Sequence, residues 1–554
     1  MLVKHEIARL VVEAAARAQE EGDLPPLALP EVTVEHPARE EHGDYAASLP
    51  LKLSRAARAS PLAIAEAIAK HIRPSDAIAE ITVAPPGFIN FQLSDAWLER
   101  QVDAILVQSE RFGDVPLGGG QRLQLEFVSA NPVGPLHVGN GRGLAIGDTL
   151  ANVLAAAGYA VEREYLVNDA GTQTETFAGT LYAHYQRLFG REVAIPEEGY
   201  PGHYMVELAE ELKAEQGEAL LRPPGELWPP ELHDVGVAKM LTAIRSDLQA
   251  MGVNYDVWFS EKGLYAAGGP YERATELLRE KGMVAEKEGA VWFTSSALGE
   301  DKDNVLVRST GSPTYFASDI AYHYDKFLLR GFQRVIDVWG ADHQGHVPRM
   351  QAAVAALGVD PERLDIIIYQ LVTLRRGEEI VRLSKRTGEI ITLRELVEEV
   401  GADACRFFFL ARAADSHMDF DLELAKQQSA ENPVYYVQYA HARIAGILAH
   451  AGEQGIDYAD GDLSLLTDPA ELALIRGMLL LPEVVEGVTL TLEPHHLPHY
   501  ALELATAFHD FYEKCRVVSD DQALSKARLK LVAACKNTLA RTLGLMGVSA
   551  PDRM

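Results

Sequence analysis

Leu123-Gln-Leu-Glu-Phe-Val128 is a mostly apolar run of strand length, and it ends in Ser129-Ala-Asn-Pro-Val-Gly-Pro-Leu-His-Val-Gly-Asn140. Pro and Gly punctuate that second stretch as a turn, and a helix-like run opens near Arg142. A strand feeding a Gly-rich turn at a helix N-terminus restricts the chain to an α/β design with an anion site at the turn. Free backbone N–H groups and the helix dipole point there at a phosphate. Gly139 and Gly141 let the backbone approach such a ligand closely.

The surrounding block, residues 111 to about 410, alternates strand and helix patterns. Strands are expected at Leu123–Val128, Glu164–Val167, Val305–Arg308, Arg334–Val338 and Ile366–Tyr369. This alternation predicts a Rossmann-type parallel sheet with crossover helices. Pro201-Gly202, Arg222-Pro-Pro-Gly225 and Pro229-Pro230 interrupt it, so a helical insertion is expected over about 185–260. Residues 1–110 mix helical runs with strand-like Ile81-Thr-Val83 and Phe88-Ile-Asn-Phe-Gln92, as an N-terminal α+β add-on domain would. Residues 411–554 show helical periodicity at Val434–His450, Pro469–Glu483 and Ser525–Leu545 with almost no β-branched runs, which predicts an all-α helical bundle.

No run of about 18 consecutive apolar residues exists, so no membrane span is expected. The N-terminal helix, with Ile7, Leu10, Val11 and Ala14 in register, lacks the apolar core of a signal peptide. Cys405, Cys515 and Cys535 show neither metal-ligand spacing nor a disulfide framework. A cytoplasmic location and no protein-bound structural metal are therefore expected. The net charge of −29 disfavours general nucleic-acid affinity, but local distribution decides the matter. Between Lys514 and Arg541 stand seven bases and two acids, a net of +5 that includes Lys526, Arg528 and Lys530. A second basic zone comprises Arg375, Arg376, Arg382, Lys385, Arg386, Arg394 and Arg406. Near 435–443, Tyr435, Tyr436, Tyr439, His441 and Arg443 interleave rings and charges as a base-stacking surface would, although half of such tyrosines pack equally well in a bundle core.

Two further segments carry chemistry. Gly340-Ala-Asp342-His343 follows the strand Arg334–Val338, where a carboxylate at a strand's C-terminal end can accept from ribose hydroxyls. Arg382-Leu-Ser384-Lys385-Arg386 reads as a loop, followed by Gly388, whose lysine can close over a triphosphate. Tyr315 and Asp319 stand one helical turn apart and so share a face.

His137-Val-Gly-Asn140 resembles the "HIGH" signature of class I aminoacyl-tRNA synthetases, and Arg382–Arg386 resembles their "KMSKS" loop. Asn140 replaces the last His, and Arg382-Leu383 replaces Lys-Met. Ser129-Ala-Asn-Pro132, Asn168-Asp-Ala-Gly171, Ser384-Lys-Arg-Thr-Gly388 and the closing Leu543–Pro551 are similar to the arginyl branch of that family over nearly the whole chain. Gly43-Asp-Tyr45 and Pro86–Phe91 resemble that branch's N-terminal domain, which touches the tRNA elbow. The resemblance implies activation of L-arginine by ATP with Mg²⁺, transfer to tRNA(Arg), and a need for tRNA in the first step. It places His137, Gly139, Asn140, Gly340, Asp342, His343, Arg382, Ser384 and Lys385 at ATP, with His137, Asn140 and Lys385 catalytic. It places Glu126, Asn131, Tyr315 and Asp319 around arginine, with Asn168 and Asp169 near the α-amino end. The helical block would bind the anticodon, with Tyr439 and Arg443 read as its stacking surface and Lys526, Arg528 and Lys530 read from their local charge as tRNA contacts. A monomer without membrane contact is expected.

Physical chemistry agrees with a polar substrate. A guanidinium is planar and always charged, so its pocket needs fixed carboxylates and carbonyls. Such a pocket rejects lookalikes strongly without an editing domain, because a wrong ligand strands buried polar groups. Two rivals are a class I synthetase for another amino acid, such as cysteine, and a non-catalytic tRNA-binding paralogue. The lack of a zinc-type Cys/His cluster and the Glu126/Asp319 pair weigh against the first. The presence of His137, Lys385 and Asp342 weighs against the second.

Overall fold

A computed structural model describes residues 2–381 and 391–554. Arg382, Ser384 and Lys385 lie outside the described residues. Five parallel strands form the central sheet: β1 (Arg122–Phe127), β2 (Ala160–Val167), β3 (Val257–Ser260), β4 (Arg334–Gly340) and β5 (Leu364–Tyr369). Their order is β5-β4-β1-β2-β3. The chain therefore runs outward from β1 in one direction, then reverses to the other side of β1. A crevice opens at such a reversal, outside the C-terminal ends of β1 and β4, and α/β sheets bind ligands there. Helix α1 (Val138–Ala156) leaves the β1 turn and packs across the sheet. Helix α2 (Tyr315–Tyr324) precedes β4 and runs on through a single wider turn, Asp325–Leu329.

Register puts three acidic residues abreast. Glu126 of β1 lies opposite Asp337 of β4 on one side and Glu164 of β2 on the other. All three are buried. Two bases, Lys326 in the wider turn after α2 and Arg330 just beyond it, meet this row.

Differences from the sequence reading have local causes. Val257–Ser260 is the edge strand β3, although it falls within the expected helical insertion. Its four residues, each only half-buried, give too short a signal against the helices His203–Gln216 and Pro230–Ala250 that precede it. The expected strand near Val305 exists as Asn304–Val307, but it belongs to a separate antiparallel sheet with Ala290–Phe293 and Val284–Lys287. Met418–Asp421 is a strand in the block read as wholly helical, and it pairs in parallel with Val372–Arg376. Pro469–Glu483 is two helices, Pro469–Leu479 and Leu481–Thr491, with Pro482 at the start of the second.

The N-terminal helix Val3–Glu20 buries Ile7, Leu10, Val11, Ala14, Ala15 and Ala18 as one stripe. It lies beside a four-stranded antiparallel sheet that ends at Leu93. This module docks on the C-terminal helices. Arg476 Nε donates to Asp44 Oδ1 at 2.6 Å, Tyr45 Oη donates to Glu483 Oε1 at 2.7 Å, and Lys4 pairs with Glu486. Among the described residues, no helix is long and apolar enough to cross a membrane.

Candidate active site

The turn after β1 is tightly wound. Val128 and Ser129 both adopt positive φ, 69° and 40°. For a β-branched residue that conformation is strained, and strain of this kind concentrates at functional turns. The turn folds Ser129 back over the sheet, where its Oγ donates to Glu126 Oε1 at 2.8 Å and accepts from Leu166 N at 3.0 Å.

His137 is the N-cap of α1. Its backbone N–H donates to Asn140 Oδ1 at 3.0 Å. Asn140 thus spends its oxygen on the turn, and a phosphate contact from this side chain falls to its NH₂ group. Gly139 leaves room for the His137 ring, since a Cβ there would lie 2.9 Å from its Cε1 and push the imidazole aside. The imidazole is open to the crevice. The protein around it lowers its pKa below the ordinary histidine value by burial, while Asp342 pulls in the opposite direction. His137 is accordingly a neutral donor at pH 7, placed where the first turn of α1 exposes its free N–H groups.

The far segment returns to this turn. Thr392 forms an isolated antiparallel bridge with His137, and Leu393 N donates to Leu136 O at 2.7 Å. Thr392 also caps the helix Leu393–Val400. Gly340, Asp342 and His343 sit at the end of β4, with the Asp342 and His343 side chains exposed and 3.4 Å apart. The His137 and Asp342 segments therefore line one crevice at the topological reversal.

Asp319, whose carboxyl feels the charge of His343, stands beside this crevice. Asp319 lies on α2 one turn after Tyr315, and its Oδ2 accepts from His346 Nε2 at 2.7 Å. Burial raises the Asp319 carboxyl to about 6. The exposed Tyr315 side chain reaches Gly171, where a Cβ would lie 3.9 Å from its Oη. Asn131 donates to Gln173. Glu126 is buried beneath, with Lys326 Nζ at 2.7 Å from Oε2. Asn168 and Asp169 are turned to neighbours. Asn168 Nδ2 donates to Ser129 O at 3.0 Å, and Asp169 accepts from Ser260 Oγ and the Lys262 N–H at 2.6 and 3.1 Å. These contacts tie the turn after β2 to the turn after β1 and to the end of β3.

Three residues near the pocket escaped the sequence reading. Lys326 is fully buried. His346 orients Asp319. Glu261, 5% exposed, hydrogen-bonds Ser318 beside Asp319, and burial raises its carboxyl to about 6. Lys326 stands seven positions after Asp319 and so shares its helix face, a spacing that could have flagged it.

Bases of the two basic segments have acidic partners from elsewhere in the chain. Lys526 pairs with Asp460 at 2.7 Å, Arg528 with the buried Glu471 at 2.6 Å, and Lys530, only 7% exposed, with Asp103 at 2.6 Å. Arg375, Arg376, Arg394 and Arg406 likewise have carboxylate partners. In so acidic a protein, runs of bases find acids from distant segments, so a local excess of charge in sequence is not a cationic surface. Arg528→Met, which strands Glu471, is expected to cost about 3 kcal/mol in urea unfolding while leaving the salt dependence of tRNA affinity unchanged. A flattened salt slope at native stability would refute that structural role.

Tyr439 and Arg443 fare differently. Tyr435, Tyr439 and His509 stack at centroid distances near 6 Å, and the Arg443 guanidinium lies 4.4 Å from the Tyr512 ring. With Tyr436 they line a groove of about 550 Å³. Flat faces and one cation at a groove are suited to stacking unpaired bases.

The parallel sheet, its reversal and the turn capped by His137 define a class I synthetase catalytic domain. Residues 101–216 and 229–435 match the model of the class I (R) tRNA synthetase catalytic domain. Residues 3–93 match the arginyl-tRNA synthetase N-terminal domain, and 437–554 match the DALR anticodon-binding domain. The arginine–tRNA ligase of Dehalococcoides mccartyi (strain CBDB1) is 54% identical over 554 residues, covering 100% of this chain and 99% of the relative. That of Moorella thermoacetica is 48% identical over 555 residues, with the same coverages. A crystal structure described as a putative arginyl-tRNA synthetase from Campylobacter jejuni superposes with a TM-score of 0.77 at 34% identity, covering 83% of this chain and 100% of that one. The Thermus thermophilus arginyl-tRNA synthetase gives 0.77 at 24% identity over 99% of this chain and 100% of its own. The chain belongs to the arginyl-tRNA synthetase family.

Proposed function

We propose that this chain is an arginine–tRNA ligase that activates L-arginine with ATP to arginyl-adenylate, releases pyrophosphate, and passes the arginyl group to tRNA(Arg) with release of AMP. The observation that carries this reading is the crevice where Asp342 acts on the His137 imidazole and the neighbouring His343 acts on the Asp319 carboxyl.

Activation needs little covalent help from the protein. The arginine carboxylate attacks the α-phosphate, and the site must align the two and stabilise the charge that develops. His137 and the Asn140 NH₂ donate to the phosphates from the α1 N-terminus, and Gly139 admits the backbone. Gly340, Asp342 and His343 hold the ribose end. Arg382, Ser384 and Lys385 act on the β- and γ-phosphates and the departing pyrophosphate. Mg²⁺ bound with the nucleotide would supply charge neutralisation on the phosphates.

Arginine lies with its guanidinium toward Asp319, Tyr315 and Glu126 and its α-amino end toward Asn131, on a wall that Asn168 and Asp169 stiffen. The Tyr439–Arg443 groove receives unpaired bases of the anticodon loop. Tyr439→Ala is expected to weaken tRNA affinity about tenfold, by the loss of one stacking face. It should leave the KM for ATP unchanged; equal tRNA affinity would exclude the groove.

ATP–pyrophosphate exchange, run with each amino acid in turn and with or without tRNA, tests the whole reading. Exchange confined to arginine supports it, with tRNA dependence as the family implies. Exchange with another amino acid, or with none, would refute it.

A further inference from the structure

We propose that Lys326 is a positioning residue of the arginine pocket: its buried ammonium holds Glu126 as a fixed, ionised carboxylate beneath the substrate while sharing its charge with Asp337. This inference rests on the reading of Glu126 as an arginine-binding residue.

The sheet creates the problem that Lys326 solves. Asp337, Glu126 and Glu164 stand abreast on β4, β1 and β2. Buried carboxylates one strand apart repel, and at least one would take up a proton without a cation between them. Arg330 serves Glu164, together with Glu162 and Asp325. Lys326, with no exposed surface, lies between the other two, 2.7 Å from Glu126 Oε2 and 2.8 Å from Asp337 Oδ1.

The sharing is unequal. Asp337 has a second partner, His323 Nε2 at 2.9 Å. Burial opposes its charged form, but Lys326 and His323 outweigh burial and hold its carboxyl down at about 2. Glu126 has Lys326 and the Ser129 hydroxyl. Asp337, Glu164, Tyr322 and Tyr255 face it from the remaining sides, and none of them is a cation. Burial therefore raises the Glu126 carboxyl in spite of Lys326. Of the carboxylates in the row, Glu126 is the one whose ionisation depends on a half-shared ammonium, and it is also the one next to the pocket. The same network reaches Asp319, because His323 Nδ1 hydrogen-bonds the Asp319 carbonyl at 2.8 Å. One buried base thus fixes the pocket's lower carboxylate directly and steadies the helix turn that carries its upper one.

Lys326 touches no substrate, so its role separates from catalysis in the kinetics. Lys326→Met alone strands two buried acids and endangers the fold. The double variant Lys326→Met/Asp337→Asn removes one charge of each sign and fills the same volume. In tRNA-supported pyrophosphate exchange it is expected to raise the arginine KM about ten- to hundredfold, with the ATP KM unchanged. The rise in arginine KM on acidification should begin at higher pH than in the parent, since Glu126 then protonates more readily. Asp337→Asn alone should move that onset to lower pH, because Glu126 then has Lys326 to itself. Glu126→Gln should raise the arginine KM and remove the response to either substitution.

A stable double variant with parental arginine KM and pH profile would overturn the proposal. If the double variant does not fold, Asp337→Asn still decides, and an onset that stays put or moves upward overturns it. An unchanged arginine KM in Glu126→Gln would sink the proposal together with the pocket reading. A raised KM there beside a parental double variant would sink the proposal alone.

Discussion

Asp319→Asn is expected to raise the arginine KM by about two orders of magnitude, with the KM for ATP within about twofold of the parent. A hydrogen bond to a charged partner contributes roughly 1.5–3 kcal/mol, and leaving a guanidinium without its carboxylate in a partly desolvated site adds to the loss. His346 already orients the carboxylate at 2.7 Å, so the pocket does not spend substrate binding energy on arranging it. The pH dependence follows from the same residue. Its carboxyl titrates at about 6 because burial disfavours the anion. Arginine affinity should therefore fall as pH drops through 6. Folding stability at this residue has the opposite sign. Between the ordinary aspartate value of 3.8 and about 6 the native state holds the extra proton, so acidification over that window stabilises the fold. Parallel arginine KM and unfolding curves against pH, for parent and Asp319→Asn, check both directions. A parent KM flat from pH 7 to 5 would remove Asp319 from the pocket.

Lys385→Ala is expected to slow pyrophosphate exchange by about two to three orders of magnitude, the usual effect of removing one preorganised charge from a developing transition state. tRNA affinity should hardly change. The motive is the bridge of Thr392 to His137, which returns the chain to the phosphate turn shortly after this lysine. Exchange at the parental rate would separate the two signatures functionally, and a matched loss of tRNA affinity would assign Lys385 to the nucleic acid instead. Single-turnover rates at saturating ATP distinguish a loss of chemistry from a loss of nucleotide binding.

The architecture was readable wherever a periodicity ran long enough to register. β1, β4 and β5 are mostly apolar runs bounded by turn residues, β2 was legible only in its second half, Glu164–Val167, and the Pro433–Glu453 and Gln522–Leu545 helices repeat their apolar positions over several turns. The edge strand Val257–Ser260 is too short to carry a period and is made of half-buried residues. The turn after β1 was legible because Gly and Pro state backbone requirements directly. The candidate pocket was legible only in part. Asp319 and Tyr315 declare themselves by helical spacing, but the partners that set their chemistry come from other strands and turns. Lys326 owes its burial to the register of β1 against β4, which no local window contains. The ion pairs of the bases at 526–530 were invisible for the mirror-image reason, because Asp103, Asp460 and Glu471 lie far away in sequence and close in space.

The docking of the first module onto the last has a consequence for biosynthesis. Lys4, Asp44 and Tyr45 leave the ribosome first, yet Arg476, Glu483 and Glu486 emerge only after some 430 further residues. At about 5–20 residues per second that interval is on the order of a minute. The nascent N-terminal unit must stay soluble on its own throughout, with a carboxylate, a phenol and an ammonium bared to water where its mate will land. A message cut short before codon 476 would release a polypeptide whose opening segment never finds its seat.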